Sequence, residues 1–187
     1  MTKISMMIGI ALGALLIAGV VLALVAPKRI SIQKSIFIQA AAPQVYDQLR
    51  FMGNFPNWSP FKTQDPEQKS SVSGSDGTVG ATFHWEGVKE KSKGSQTVVA
   101  LQPNNAVKLQ CNITEPFQSN PVFSYHLEEK NGGVTLVQDF EVDMPVPANI
   151  FGLLFGLKSE IGKTNQQGLN QLKQYLEKTS ATSPAQN

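Results

Sequence analysis

Apolar and polar residues alternate with a period of two in four successive segments from Val79 onward, and this pattern constrains the fold more than any other feature of the chain. Val79, Ala81, Phe83 and Trp85 alternate with Thr82, His84 and Glu86, and Val107, Leu109, Cys111 and Ile113 alternate with Lys108, Gln110, Asn112 and Thr114. Phe123, Tyr125 and Leu127 alternate with Ser124, His126 and Glu128; Leu136, Phe140, Val142 and Met144 alternate with Thr135, Asp139, Glu141 and Asp143. Successive side chains of a strand point to opposite faces, so each segment reads as a strand with one covered and one wet face. Together they predict an antiparallel sheet. A further strand is expected around Ser95 to Leu101, ended by Pro103, Asn104 and Asn105, and Asn131, Gly132 and Gly133 form a hairpin signal between the last two segments. Ile30, Ile32, Ile36 and Ile38 carry the same alternation near the start of the chain.

The covered face needs a partner, and the end of the chain supplies one. Pro147 opens a segment with Ile150, Phe151, Leu153, Leu154, Phe155 and Leu157, and a helical pattern continues through Ile161, Asn165, Gly168, Leu169, Leu172, Tyr175 and Leu176. One long helix with a single apolar stripe is expected there. Pro43, Val45, Tyr46, Leu49 and Met52 suit a short amphipathic helix, followed by an aromatic-rich loop at Trp58, Ser59, Pro60 and Phe61. Strand, short helices, a run of strands and one closing helix make an α+β domain. Thr179 to Asn187 is small and polar and reads as a frayed tail.

Ahead of this domain, the 23 residues from Ile4 to Ala26 carry no charge. A helix of that length is about 35 Å long, enough for a hydrocarbon core of about 30 Å. The run exceeds the apolar core of a secretory signal, which spans about 7–15 residues, and Pro27 is a poor residue after a cleavage site. A single-pass anchor in the inner membrane is expected. Lys28, Arg29 and Lys34 outnumber Lys3, which by the positive-inside rule favours a cytoplasmic domain, although a short basic N-terminus also begins many anchors with external domains. Gly9 and Gly13 have the small-xxx-small spacing that lets two helices approach, and the sequence leaves the oligomeric state open.

Composition narrows the function classes. Sixteen Lys plus Arg against 14 Asp plus Glu give a net charge of +2, so no basic face for a nucleic-acid partner is indicated. One cysteine, Cys111, and two histidines, His84 and His126, argue against a disulfide framework and against zinc chemistry. His84 and Glu86 could form a proton-transfer couple, but the alternation turns both outward, and His126 likewise. Asp139, Glu141 and Asp143 make a carboxylate row on a flat outer face, without a chelating loop for a cation. Gln138 shares a face with Leu136 and Phe140, where a lone polar group could orient a ligand or be a satisfied core amide. Cys111 lies between Leu109 and Ile113 with no nearby base and reads as an inert buried thiol. No catalytic residue, metal or cofactor is assigned, and catalysis is expected to be absent or weak.

Ile36, Ile38 and Ala40 before Pro43 and Val45, Trp58-Ser59-Pro60, Gly80 followed by Trp85 and Gly87, Gly94-Ser95 opening a strand, Pro116 after a strand, and Gly168, Leu169, Leu172 and Lys173 in the last helix carry a resemblance. The chain resembles the SRPBCC, or helix-grip, superfamily, which includes the pollen-allergen type, START lipid-transfer domains and bacterial polyketide cyclase/dehydrase-like proteins, and is most similar to the membrane-anchored bacterial members. The resemblance covers residues 29–178, between an anchor at 1–28 and a tail at 179–187. It implies a sheet wrapped around the long helix, enclosing a cavity that in relatives accepts lipids, sterols, polyketides or quinones. The expected lining is Trp58, Phe83, Trp85, Leu109, Phe123, Tyr125, Gln138, Phe140, Phe151 and Phe155. The leading expectation is a membrane-tethered binding module for a hydrophobic small molecule. The alternatives are an enzyme of the cyclase/dehydrase type acting on such a ligand, and an interaction domain with a packed core. The loosely helical stretch Ile150 to Leu157, beside the Trp58 loop, is the expected entrance.

Overall fold

The computed structural model describes residues 3–89 and 91–182. Helix α1 (Lys3–Val25) leads directly into strand β1 (Arg29–Ile38), followed by α2 (Ala42–Arg50), a 3-10 turn (Met52–Asn57) and the short α3 (Pro60–Gln64). Six strands follow: β2 (Lys69–Ser73), β3 (Thr82–Glu86), β4 (Lys93–Gln102), β5 (Ala106–Glu115), β6 (Val122–Lys130) and β7 (Gly133–Asp143). Helices α4 (Ala148–Leu154) and α5 (Leu157–Thr182) close the described chain.

The seven strands form one antiparallel sheet in the order β1-β7-β6-β5-β4-β3-β2. The first strand therefore pairs with the last, and the sheet begins where α1 ends. Register puts the alternating apolar positions on one face: Ile32 opposes Phe140, Phe140 opposes Phe123, Phe123 opposes Leu109, and Leu109 opposes Val98. Helix α5 covers that face with Leu169, Leu172 and Leu176, all buried at the i, i+3, i+7 spacing of one helical stripe. It is also tied to the edge strand, because Lys173 Nζ donates to the Phe37 carbonyl at 2.7 Å and the Gln39 amide donates to Glu177 at 3.0 Å. This is the helix-grip architecture, an α+β fold.

Five details differ from the sequence-based expectation. Strand β3 starts at Thr82, so Val79 lies outside it and is exposed; Gly80, at φ +94°, turns the chain first. Strand β2 was hidden in a polar stretch, since all five of its residues are exposed and the alternation signal needs a covered face. The Trp58 loop continues into α3, started by Pro60 at the first helical position. The single closing helix is two: Gly156 adopts φ +63°, a left-handed turn that breaks the run between α4 and α5. Helix α5 also runs to Thr182, beyond the expected start of the tail at Thr179, while residues 183–187 of that tail lie outside the described residues.

Gly94, like Gly133 in β7, is a strand glycine with no room for a side chain. It pairs with Trp85, and a Cβ at this position would sit 2.6 Å from the Asn112 carbonyl oxygen and 2.6 Å from the Trp85 ring. The indole lies across the bare backbone. Gly94→Ala is expected to cost about 2–3 kcal/mol by overpacking, read as a lowered urea midpoint with an unchanged slope. An unaltered midpoint would show that Trp85 does not occupy this space.

Candidate functional site

The strand phases bring seven of the ten expected lining residues to the interior between the sheet and α5, and the 3-10 turn brings an eighth, Trp58. Trp58 is buried and donates its indole N–H to the Gln48 carbonyl at 3.2 Å. Phe55 stands edge-on to Trp58 and Phe83, at 5.0 and 5.3 Å between ring centroids, and Phe83 stacks on Trp85 at 6.4 Å. On the other side of the sheet's midline, Phe123 stacks on Tyr125 at 6.3 Å and meets Phe140 edge-on at 5.0 Å. Leu109 lies buried in the strand between the two aromatic groups. Phe151 and Phe155 are not brought here: they stack on each other at 6.4 Å on α4 and its end, exposed at 56% and 77%.

The apolar interior falls into two clusters. One holds Ile38, Val45, Leu136, Leu169, Leu172 and their neighbours, and the smaller holds Ile30, Phe140, Val142 and Met144. Polar side chains lie among the inward-facing positions. Gln138 Nε2 donates to the Tyr125 hydroxyl at 2.9 Å, and the Cys111 thiol donates to Gln96 Oε1 at 3.4 Å. Asn165 enters from α5, on the stripe that carries Leu169 and Leu172. Three of these buried groups are incompletely paired: Gln138 Oε1, Gln96 Nε2 and Asn165 Nδ2 have no hydrogen-bond partner. Leaving a buried polar atom unpaired costs about 1–3 kcal/mol, so such atoms are completed by a buried water or by a ligand.

The layer is polar but uncharged. Burial pushes the Cys111 thiol up to about 12, and burial drives the Tyr125 phenol up as well, against the small opposing effect of its hydrogen bond with Gln138. Both stay protonated near neutral pH, so these five side chains offer hydrogen bonds and no fixed charge, whereas the buried acid Asp65 accepts from the Val88 and Lys89 amides in the β3–β4 connection. Gln138 was legible from its phase in β7. Gln96 and Asn165 were overlooked, though Gln96 alternates in phase with Val98 and Asn165 sits on the apolar stripe of α5, the same signal that singled out Gln138.

His84 and Glu86 face outward, where His84 Nε2 lies 2.8 Å from the Ser73 hydroxyl and Glu86 lies 3.9 Å from Lys93. The carboxylate row is engaged across the β1 edge, with Asp139 accepting from Gln33 at 2.8 Å and Asp143 from Arg29 at 2.8 Å. Among the described residues no group of three or more His, Cys, Asp or Glu could hold a metal ion. An open groove of about 630 Å³ lies between β1 and the first turns of α5, lined by Ile32, Lys34, Lys158, Gly162, Lys163 and Gln166 among others. It is not at the expected entrance between α4 and the Trp58 segment.

No curated protein matches the chain. Solved structures share the fold at low identity. Protein CV1439 from Chromobacterium violaceum is 16% identical with a TM-score of 0.58, covering 79% of this chain and 97% of that one. The di-domain aromatase/cyclase StfQ of the steffimycin biosynthetic pathway is 11% identical with a TM-score of 0.63, covering 82% of this chain and 52% of that one. Ara h 8.0201 is 10% identical with a TM-score of 0.56, covering 80% and 99%. A model of the polyketide cyclase / dehydrase and lipid transport family matches residues 29–177, from the first residue of the sheet to within a few residues of the end of α5, and the chain belongs to that family.

Proposed function

We propose that this protein is a membrane-tethered binding module that takes an uncharged, largely apolar small molecule between the sheet and α5. Membership of the family supports hydrophobic-ligand binding or a polyketide-cyclase-type role. The observation that carries the finer reading is the set of unpaired amide atoms in an otherwise apolar interior. Gln96 Nε2 and Asn165 Nδ2 are donors and suit a carbonyl or ether oxygen of the ligand; Gln138 Oε1 is an acceptor and suits a hydroxyl. A charged ligand would meet no counter-ion among these groups and would be disfavoured by desolvation. Tethering rests on α1, whose window Met6–Val25 has a mean hydropathy of 2.8 and is not buried by the domain.

The test is native mass spectrometry of the full chain released gently from membranes. A co-purifying neutral apolar molecule is expected, and chemical conversion of that molecule by the protein would assign the cyclase-type role instead. An empty protein that also takes up no fluorescent apolar probe counts against binding.

The double variant Gln96→Leu, Asn165→Leu separates ligand recognition from folding. Removing two unpaired buried donors is expected to leave stability unchanged or raise it by about 1 kcal/mol per site. Ligand retention should fall about tenfold or more, because the same donors serve the bound molecule at about 1.4 kcal/mol per factor of ten. Urea unfolding and probe displacement read the two quantities. Lower stability with full retention would make these amides part of the packing and remove the basis for the ligand assignment.

A further inference from the structure

Outside α1, the exposed large apolar side chains of the described residues concentrate at one end of the sheet. The register identifies that end. Arg29 opposes Asp143, Val122 opposes Glu141, Ile113 bridges to Ser119, and Glu86 opposes Lys93. The start of β1, the end of β7, the β5–β6 connection and the β3–β4 connection therefore share it. Phe117, 82% exposed, stands in the β5–β6 connection, and Phe151, Leu153, Leu154 and Phe155 stand exposed on α4, which follows β7. The opposite end carries polar turns such as Asn104-Asn105 and Asn131-Gly132.

The same end receives α1. Asn149, buried at the start of α4, donates its Nδ2–H to the carbonyl of Ala26 at 3.2 Å, one residue past the end of α1. The Met144 amide donates to the Lys28 carbonyl at 2.7 Å, so the chain leaving β7 and the chain leaving α1 are held together. Helix α4 extends only about 10 Å from that clamp. From Met144 to Leu157 no residue is charged, and Lys158 follows immediately, as Lys28 follows the uncharged run from Ile4 to Pro27. An uncharged segment with bulky side chains turned outward and lysines at its margin suits the headgroup–acyl boundary.

Resting on the reading of α1 as a bilayer anchor, we infer that the segment Met144–Leu157, together with the tip of the β5–β6 connection, lies on the surface of the bilayer that α1 enters. The occupant of this apolar face is lipid. The sheet end nearest the anchor is thereby laid against the membrane, which directs apolar molecules from the bilayer toward the domain without passage through water.

The full chain, carrying Phe155→Cys labelled with an environment-sensitive dye, is reconstituted into phosphatidylcholine vesicles containing a shallow doxyl-labelled lipid. Cys111 does not compete for the label, being buried with its thiol pushed up to about 12. A Val79→Cys label, exposed near the opposite end of the sheet, is the control. Expected are a blue shift and about twofold quenching at position 155, with neither at position 79. Adding Phe151→Glu and Leu154→Glu should abolish the quenching while the chain stays in the membrane pellet. A position 155 that remains unquenched in a chain that does stay in the pellet overturns the surface contact and leaves the anchor standing. If position 155 is unquenched and the unlabelled Phe155→Cys chain forms a disulfide with a second copy under mild oxidation, the face is assigned to self-association, which also overturns it. Loss of the unsubstituted chain from the pellet removes the anchor and the inference with it.

Discussion

Leu169→Ala with Leu172→Ala is expected to unfold the domain near neutral pH and 25 °C. Both side chains are fully buried on the stripe of α5 that faces the sheet. Truncating a buried leucine costs about 2–5 kcal/mol through lost transfer free energy and the cavity left behind. Two such changes reach about 4–10 kcal/mol, a large share of the roughly 5–15 kcal/mol that a domain of this size has to lose. The sites are one helical turn apart and share neighbours, so the sum is not strictly additive. Beyond this pair, Leu176 and the ties of Lys173 and Glu177 to the end of β1 hold α5, while Gln166, Gln167 and Asn170 of the same turns lie toward the open groove. Fluorescence of the buried Trp58 during urea titration reads the loss, and Gln167→Ala, at an exposed position, should stay within about 0.5 kcal/mol of the parent. A double variant that folds with an unshifted midpoint would mean that the sheet is stable without its helix, which would remove the grip from any account of ligand enclosure.

What the sequence made legible follows from the same physics. Strands β5, β6 and β7 were readable because one face is buried and the other wet, so their residues had to alternate. Strand β2 pairs only with β3 at the sheet's edge, buries nothing, and has the composition of a loop. The split of the last helix was written in Gly156, but periodicity alone continues through a glycine, and only the positive φ reveals the break. Phe151 and Phe155 illustrate a further limit. Four apolar residues on a helical arc imply a covered face, but periodicity does not say whether the cover is the sheet, a lipid surface or another chain. Gln138 could be found from its phase in β7, whereas its meaning could not, because pairing of its two amide atoms depends on Tyr125 in a neighbouring strand. Phe55, which joins Trp58 to Phe83, sits in a 3-10 turn where neither the period of two nor 3.6 applies.

The second large effect concerns α1. Leu15→Arg with Leu16→Arg is expected to abolish membrane retention of the full-length chain. The two residues lie at the centre of the window Met6–Val25, and each arginine near the middle of a spanning helix costs about 2.5–3.5 kcal/mol. Together they oppose insertion by about 5–7 kcal/mol, four to five orders of magnitude in the partition equilibrium. The parent chain is expected at its full mass of 20.3 kDa in the carbonate-washed pellet, and the variant in the supernatant or in aggregates. An apolar helix of this length would also serve as a removable leader, and the mass decides between the two: a shortened, soluble parent product would identify cleavage. The structure makes cleavage consequential. The Ala26 amide still donates to the Leu22 carbonyl at 2.8 Å, Ala26 is buried, and its carbonyl accepts from Asn149. The last turn of α1 is thus joined to the domain, with only Pro27 and Lys28 between Ala26 and β1. Cutting before Ala26 would strip helical support from a residue that α4 holds, so a cleaved protein should also show a loosened α4. Hydrogen exchange at Ile150 and Phe151 measures that loosening, and unchanged protection there in a cleaved product would show that the junction with α1 contributes nothing to the domain.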